Sequence, residues 1–569
     1  MPRRAGIFAR TVAIAFSAIA AIAAIAAGTL LLTSSKAPGN KQSASKLPDF
    51  RDSVPNEELA SRIVGEMTDE ELLAQILMFG WAGQDPSDEV KDWVGKRSLG
   101  SIKVFGWNTD NTIKVAESIT LLQKKAEENR FHIPLFVATD QEGGWIRHIK
   151  GLTTETPGNL AIGASGIPAD AWYSGYYIGR ELRAIGINLN FAPAVDLYTD
   201  HNSTVIGPRS FGESPEAAGE LGASFVSGLR AAGVMATAKH FPGHGDTGAD
   251  SHGRLPVIDI PKKTLEEREL VPFRYVVEAG VPAIMSGHLN FPRITKDGEP
   301  ATFSSYLLND VLRGELGFKG LIITDDIMMN GATQYAGSVS RAVQMAIEAG
   351  NDIVESSTTP NSRDAMWLGT LDLMKSSKKF HARVADAAER VILAKLVYFK
   401  GKNFVPVYPD IAKLPELVPD REGQKFFLSQ AARAATIVRG KDIPFAAKAG
   451  KKTLIAGSFP AFLDAGKKRF PQADTAPIGK DLYRKARNYD TLIFCLASRE
   501  SLDALKAVQW AGPDVIVISS LSPVLLTEVP QIKTAIAVYS YSPASFEAAF
   551  GALAGDYAPA GVMPLTGIN

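Results

Sequence analysis

The chain has 569 residues, with 61 basic and 61 acidic side chains and so no formal net charge. That balance argues against a nucleic-acid protein, which needs a basic surface to neutralise phosphates. A composition 45% apolar and 21% charged excludes a wholly disordered or fibrous chain. The single cysteine, Cys495, excludes an internal disulfide and cysteine-rich zinc or iron–sulfur sites. It lies in the apolar run TLIFCLA and reads as a core residue.

In chain order, Arg3, Arg4 and Arg10 precede the apolar segment Val12–Leu32, 21 residues rich in Ala and Ile. At about 1.5 Å per residue, such a helix spans a hydrocarbon core of about 30 Å. The flanking arginines place the bulk of the chain outside the cytoplasm. Residues 1–32 thus read as an export segment. Its length favours an uncleaved membrane anchor, while small residues such as Ala24 and Ala26 leave cleavage and secretion open. Residues 33–49 are small and polar and read as a tether.

Residues 50–400 alternate short apolar runs with longer helical patterns. The predicted strands are Gly100–Phe105, Pro134–Thr139, Ile187–Pro193, Val234–Lys239, Ala283–Gly287, Gly320–Thr324 and Asp352–Glu355. The predicted helices are Glu57–Phe79, Ile113–Asn129, Ala169–Ala184, Ser214–Ala232, Leu265–Ala279, Val339–Ala349 and His381–Val397. Strand–helix alternation of this length implies parallel βαβ units and a (β/α)8 TIM-type barrel. Residues 401–420 carry four prolines and read as a linker. Residues 421–569 form a smaller α/β domain with strands at Thr453–Ala456, Thr491–Leu496, Val515–Ile518 and Thr534–Val538.

Chemistry-bearing residues gather where the barrel strands end: Asp140, Asp196, Lys239 with His240, His288, and Asp325 with Asp326. Active sites of such barrels lie at that face. One strand-end Asp is readily a helix cap; repetition at five strand ends is not explained by capping. Five of the eight histidines fall between His201 and His288. Lys239–Pro256, KHFPGHGDTGADSHGRLP, holds three His, two Asp, four Gly and two Pro, and reads as a mobile loop. His240 and His244 have the i,i+4 spacing of a helical metal site, but Pro242, Gly243 and Gly245 remove the helix that would set ligand geometry. No metal or other cofactor is expected, and His244 reads as a structural residue bonded to backbone. In Asp250-Ser251-His252 the carboxylate can fix the imidazole tautomer and raise its basicity, which makes His252 a candidate general acid/base on a loop able to swing.

The motifs ATDQEGGW (Ala138–Trp145), GPRSFGE (Gly207–Glu213), KHFPGHGDT with its following DSH (Lys239–His252) and GLIITDDIMM (Gly320–Met329) resemble glycoside hydrolase family 3 in its β-N-acetylglucosaminidase branch. The resemblance covers about residues 55–565. The histidine-loop motif is the most specific, being similar to the loop that separates this branch from the β-glucosidase branch. The C-terminal text resembles the family's α/β-sandwich domain. The resemblance implies a retaining exo-hydrolase with Asp325 as nucleophile, Asp326 as its structural neighbour, His252 as acid/base and Asp250 as the partner of His252. It implies sugar-binding roles for Asp140, Arg209, Lys239 and His240, with Asp196 and His288 near the same site. Lys239 and Arg209 are expected to favour the ionised form of Asp325. The family commonly has an arginine where this chain has His148; either the adjacent Arg147 supplies that contact or the contact is lost.

The substrates so implied are GlcNAc-containing oligosaccharides, peptidoglycan fragments or chitin-like oligomers, with no nucleic acid and with a membrane reached through the N-terminal segment. A GlcNAc phosphorylase, a β-glucosidase of the same fold, a metal-dependent hydrolase using the histidine loop and a non-catalytic wall-binding protein are the competing readings.

Overall fold

The computed structural model describes residues 47–568 apart from 249, 252, 441–442, 447–449 and 509–511. Val12–Leu32 lies outside the described residues; among those described, no helix is long and apolar enough to cross a membrane. The first sheet is made of β1 (Leu77–Phe79), β2 (Ser101–Lys103), β3 (Phe136–Thr139), β4 (Leu189–Asn190), β5 (Met235–Phe241), β6 (Ala283–Ser286), β7 (Leu321–Thr324) and β8 (Val354–Ser356). Its order is β8-β1-β2-β3-β4-β5-β6-β7, all parallel. A parallel bridge between Ile323 and Ile353 joins the two ends into a nearly closed barrel. Strands such as FVAT and LIIT are buried throughout, as expected where helices cover the outside.

β1 corrects the sequence reading, which places one helix over Glu57–Phe79. The chain instead forms helices Asn56–Glu66 and Asp69–Gln75 and then the strand. Thr68 restarts the helix through a capping box: its hydroxyl accepts from the Glu71 N–H, and the Glu71 carboxylate accepts from the Thr68 N–H. Leu77–Phe79 is too short an apolar run for periodicity to separate strand from helix. Its state is decided by its two partners, Val354–Ser356 on one side and Ser101–Ile102 on the other. Helices Asp88–Arg97 and Ala365–Ser376 and the π-helical segment Tyr306–Glu315 complete the wall.

The second sheet is β9 (Thr436–Gly440), β10 (Thr453–Ala456), β11 (Asp474–Ala476), β12 (Thr491–Leu496), β13 (Asp514–Ser519) and β14 (Thr534–Ala537), in the order β9-β14-β13-β12-β10-β11, with β9 antiparallel. Alternate residues face opposite layers. Ile455, Ile493, Cys495, Ile518 and Ile536 pack on helices Pro460–Arg469 and Pro543–Ala554, while Leu454, Leu492, Phe494, Val517 and Ala535 meet Leu482, Leu502 and Leu505 on the other side. Cys495 is buried as expected, and burial pushes its thiol up to about 12.

The linker carries a one-turn helix, Leu414–Leu417, and ends at Asp420, which caps helix Arg421–Ala434. That helix rests on barrel helix Pro168–Ile185 through Arg433 to Asp170 and Gln430 to Ser174. The C-terminal tail returns to the barrel. The Glu213 N–H donates to the Pro564 carbonyl, the Thr566 N–H donates to the Glu213 carboxylate, and Leu565 and Ile568 bury against Leu160, Ala161 and Tyr198. The second domain therefore braces the GPRSFGE loop that carries Arg209. Removal of residues 562–569 strips away two buried aliphatic side chains and should cost about 3–6 kcal/mol. Denaturant unfolding of the truncated chain checks this.

Candidate active site

The strand ends of the barrel bring together a row of buried charges of alternating sign. Asp140, just after β3, receives Lys239 Nζ on Oδ1 at 2.5 Å and Lys103 Nζ near Oδ2 at 3.1 Å. Lys239 also reaches Glu142 Oε1 at 2.7 Å, and Glu142 takes a bidentate pair from Arg209 at 2.7 and 2.9 Å. At the other end Lys103 lies 3.4 Å from Oε2 of Glu355, within β8. Burial alone would neutralise Asp140, yet Lys103 and Lys239 hold its carboxyl well below the usual range. Burial likewise opposes ionisation of Glu142, and Arg209 with Lys239 outweighs it.

Asp196, before β5 in the chain, organises the next wall. It accepts from His240 Nδ1 at 2.7 Å and from the main-chain N–H groups of His240 and His244. Arg209 Nη2 lies 3.2 Å from His240 Nε2, so both imidazole nitrogens of His240 are engaged by protein groups. His244 differs from expectation in detail: its backbone N–H makes the bond, while its buried ring nitrogens have no hydrogen-bond partner among the described residues.

Asp325 follows β7. Its N–H donates to the Ser286 carbonyl at the end of β6, and its Oδ1 accepts from the Asp326 N–H at 2.8 Å. Burial works against its charge, but His240 first, then His288 and Lys103, bring its carboxyl down to about 2. The cations expected for this, Lys239 and Arg209, are committed to Asp140 and Glu142 instead. His288 is fixed by Thr302 at Nδ1 and by the Asp326 carbonyl at Nε2. Asp326 accepts from the Met328 and Ser357 N–H groups, the geometry of a structural cap.

Of the two candidates beside the missing arginine, Arg147 is turned away. It sits at the end of the short hairpin formed by Gln141–Gly143 and Ile146–Arg147, and donates to the Thr153 carbonyl and the Glu155 carboxylate. His148 faces inward, with Nδ1 3.5 Å from Asp140 Oδ2. His252 lies outside the described residues, while its neighbours are placed. The Ser251 carbonyl accepts from the Gly331 N–H, and the Asp250 carbonyl accepts from Gly253 and Arg254. A Cβ at Gly331 would lie 3.2 Å from the Ser251 oxygen and 3.4 Å from His288 Cβ, so the absence of a side chain there lets the DSH segment approach the stretch that follows Asp325. The preceding part of the loop is held more firmly than its glycine content suggests. Lys239–Phe241 belong to β5, Arg268 donates to Asp246, and a Cβ on Gly245 would stand 1.6 Å from the Leu197 carbonyl.

Three members of the charge row were not among the residues singled out in the sequence. Glu142 lies inside a quoted motif, two residues from Asp140. Glu355 obeys the same strand-end rule as the others. Lys103 is a lone charge in the run SIKVF, a signal legible in hindsight, since a buried lysine needs a partner.

Residues 67–394 match the profile of the Glycosyl hydrolase family 3 N terminal domain. The chain belongs to glycosyl hydrolase family 3, and it is therefore a glycoside hydrolase. It is 34% identical over 316 residues to Beta-hexosaminidase A of Pseudoalteromonas piscicida, covering 53% of this chain and about half, 51%, of that relative. It is 32% identical over 296 residues to Beta-hexosaminidase of Nitrosomonas eutropha, covering 51% of this chain and 82% of the relative. The family 3 beta-N-acetylglucosaminidase structure from Paenibacillus sp. str. FPU-7 superposes with a TM-score of 0.78 at 28% identity, over 88% of this chain and 99% of that one.

The charge row of this family 3 enzyme makes a direct prediction. Glu142→Ala leaves Lys239 and Arg209 without their shared counter-ion in a dry site and should destabilise the fold by about 3–5 kcal/mol. Urea unfolding of the variant beside the parent measures it.

Proposed function

We propose that the enzyme is a retaining exo-β-N-acetylglucosaminidase that releases terminal β-linked GlcNAc. The observation that carries this reading is Asp325: a carboxylate held ionised, with its pKa down at about 2, at the barrel rim beside a polar wall of Asp140, Lys239, Arg209 and His240. A carboxylate so disposed can attack an anomeric carbon while the wall holds the sugar hydroxyls. The relatives named beta-hexosaminidase and beta-N-acetylglucosaminidase support the amino-sugar specificity.

In this mechanism Asp325 attacks the anomeric carbon as His252 protonates the departing glycosidic oxygen. His252 then takes a proton from water, whose oxygen displaces Asp325 and regenerates the original anomeric configuration. Asp250 holds the imidazole in the required tautomer. His252 replaces the second carboxylate of the usual pair, and its assignment rests on the DSH motif and on the anchoring of Ser251 to Gly331. An imidazole does not repel an anionic acceptor as a carboxylate would. That favours phosphorolysis as the second reading, and product analysis on GlcNAc-containing oligosaccharides with and without phosphate separates the two. A metal-dependent route through the histidine loop is disfavoured because Asp196 and Arg209 already engage both His240 nitrogens.

The segment Val12–Leu32 and its arginines support export, with peptidoglycan fragments as the natural substrates outside the cytoplasm. Cell fractionation tests this; recovery of the enzyme wholly in the cytosol would overturn it.

Asp325→Asn should reduce turnover of an aryl N-acetylglucosaminide at least about 10⁴-fold, because the attacking carboxylate is gone; retained turnover refutes the assignment. His252→Ala should slow poor leaving groups about 10²–10⁴-fold and spare activated aryl ones. With an activated leaving group, that variant should show a flat rate from about pH 4 to 8, because the remaining essential group, Asp325, is already ionised there. An ionisation near neutral pH in that profile would count against His252 as the acid.

A further inference from the structure

Resting on that reading of the site, a second question is how Asp140 is held when the arginine of the resembling motif is absent. Position 148 carries an imidazole whose burial, against the opposing pull of Asp140, takes it down to about 4. At neutral pH it brings no positive charge. Yet the oxygen it faces is supplied with a cation from elsewhere. Lys103 Nζ stands 3.1 Å from Asp140 Oδ2, the same oxygen that His148 Nδ1 approaches to 3.5 Å. An arginine at 148 and the lysine at 103 would therefore serve one carboxylate oxygen.

Lys103 is built into the wall rather than laid on it. It lies within β2, is 4% exposed, and has its ammonium 4.4 Å from the centre of the Phe105 ring and 5.0 Å from that of Phe191. Burying an ammonium there requires opposite charge, which Asp140 supplies first, and Glu355 reaches the same ammonium from β8, two strands round the barrel, at 3.4 Å. Glu355 is itself fully buried, and neither of its carboxylate oxygens has a hydrogen-bond partner among the described residues. Burial pushes its carboxyl well above the usual range; Lys103, the cation it faces, pulls the other way, and the nearby Asp326, Asp325 and Asp140 add to the rise.

We propose that Lys103, braced by Glu355, is a positioning residue of the sugar site, taking over from β2 the cationic contact that position 148 does not make. With Lys239 on one oxygen and Lys103 on the other, the Asp140 carboxylate is fixed in plane, and its remaining lone pairs are presented to the hydroxyls of the terminal sugar. Lys103 acts through Asp140, so its loss should appear mainly in substrate binding.

The test is steady-state kinetics on an aryl N-acetylglucosaminide, with melting curves recorded beside them. Lys103→Met should lower kcat/KM on the order of 100-fold, chiefly through KM. Glu355→Ala should lower it about 10-fold by loosening the lysine. Adding His148→Arg to Lys103→Met returns a cation to the same oxygen and should recover at least about 10-fold. A folded Lys103→Met within about twofold of the parent, or a folded double variant no better than the single one, overturns the proposal. Should Lys103→Met not fold, His148→Arg alone decides. No gain, or a loss from crowding two cations on one oxygen, supports Lys103 as the incumbent, and a several-fold gain shows the cation was missing and overturns it. A parent enzyme silent on the substrate refutes the functional reading and this proposal together, whereas an active parent with an indifferent Lys103→Met refutes this proposal alone.

Discussion

The structure turns on the buried row of ionisable groups Glu355–Lys103–Asp140–Lys239–Glu142–Arg209 at the rim of the barrel. Asp140, Lys239 and Glu142 each lie between two groups of opposite sign. In a dry site that arrangement is what makes the five charges from Lys103 to Arg209 tolerable, because any one left unpaired would cost several kcal/mol, while burial pushes the carboxyl of Glu355, at the end of the row, well above the usual range. It also restricts where water and substrate meet the row. Lys239 and Glu142 are almost fully enclosed, while Asp140 and Arg209 keep 11% of their side chains open. The enclosed members hold the shape, and the open ones are the members accessible from the rim.

The carboxylate proposed as nucleophile is treated differently. Asp325 is kept out of the row and makes no direct ion pair among the described residues; its charge is maintained by nearby imidazoles, by Lys103 at longer range and by the Asp326 N–H. A nucleophile locked to a cation would have to break that pair before attack, and one without favourable neighbours would be protonated in so buried a place. Asp326 takes the capping work, anchoring the turn to β8 through the Ser357 N–H and leaving Asp325 free of it.

Support for this geometry comes from well outside the rim. The loop of Arg209 is pinned by the returning C-terminal tail, and the loop of the DSH motif is pinned at Ser251 by Gly331, six residues beyond Asp325. The second domain thus contributes to the site by fixing the backbone that carries Arg209, with no side chain of its own in the charge row. Much of the loop region between β5 and β6, rich in glycine, is held by close backbone packing at Gly245 and by the Arg268 contact to Asp246.

Strand–helix alternation, the clustering of acids and histidines at strand ends and the DQEGG, GPRSFGE and DSH motifs were all legible in the sequence, because each is a local signal: a period, a run or a fixed spacing. They determined the barrel class, the second α/β domain, and the gathering of Asp140, Asp196, His240, His288 and Asp325. The three-residue strand Leu77–Phe79 was not legible, since a run that short takes its state from neighbours 24 and 277 residues away at Ser101 and Val354. Nor was the choice between Arg147 and His148, adjacent residues whose directions depend on the hairpin that carries them. The pairing of Lys103 with Asp140 and Glu355 was hidden for the same reason. Which charges neutralise one another in a low-dielectric interior is set by distances between strands, and those distances exist only once the barrel has closed.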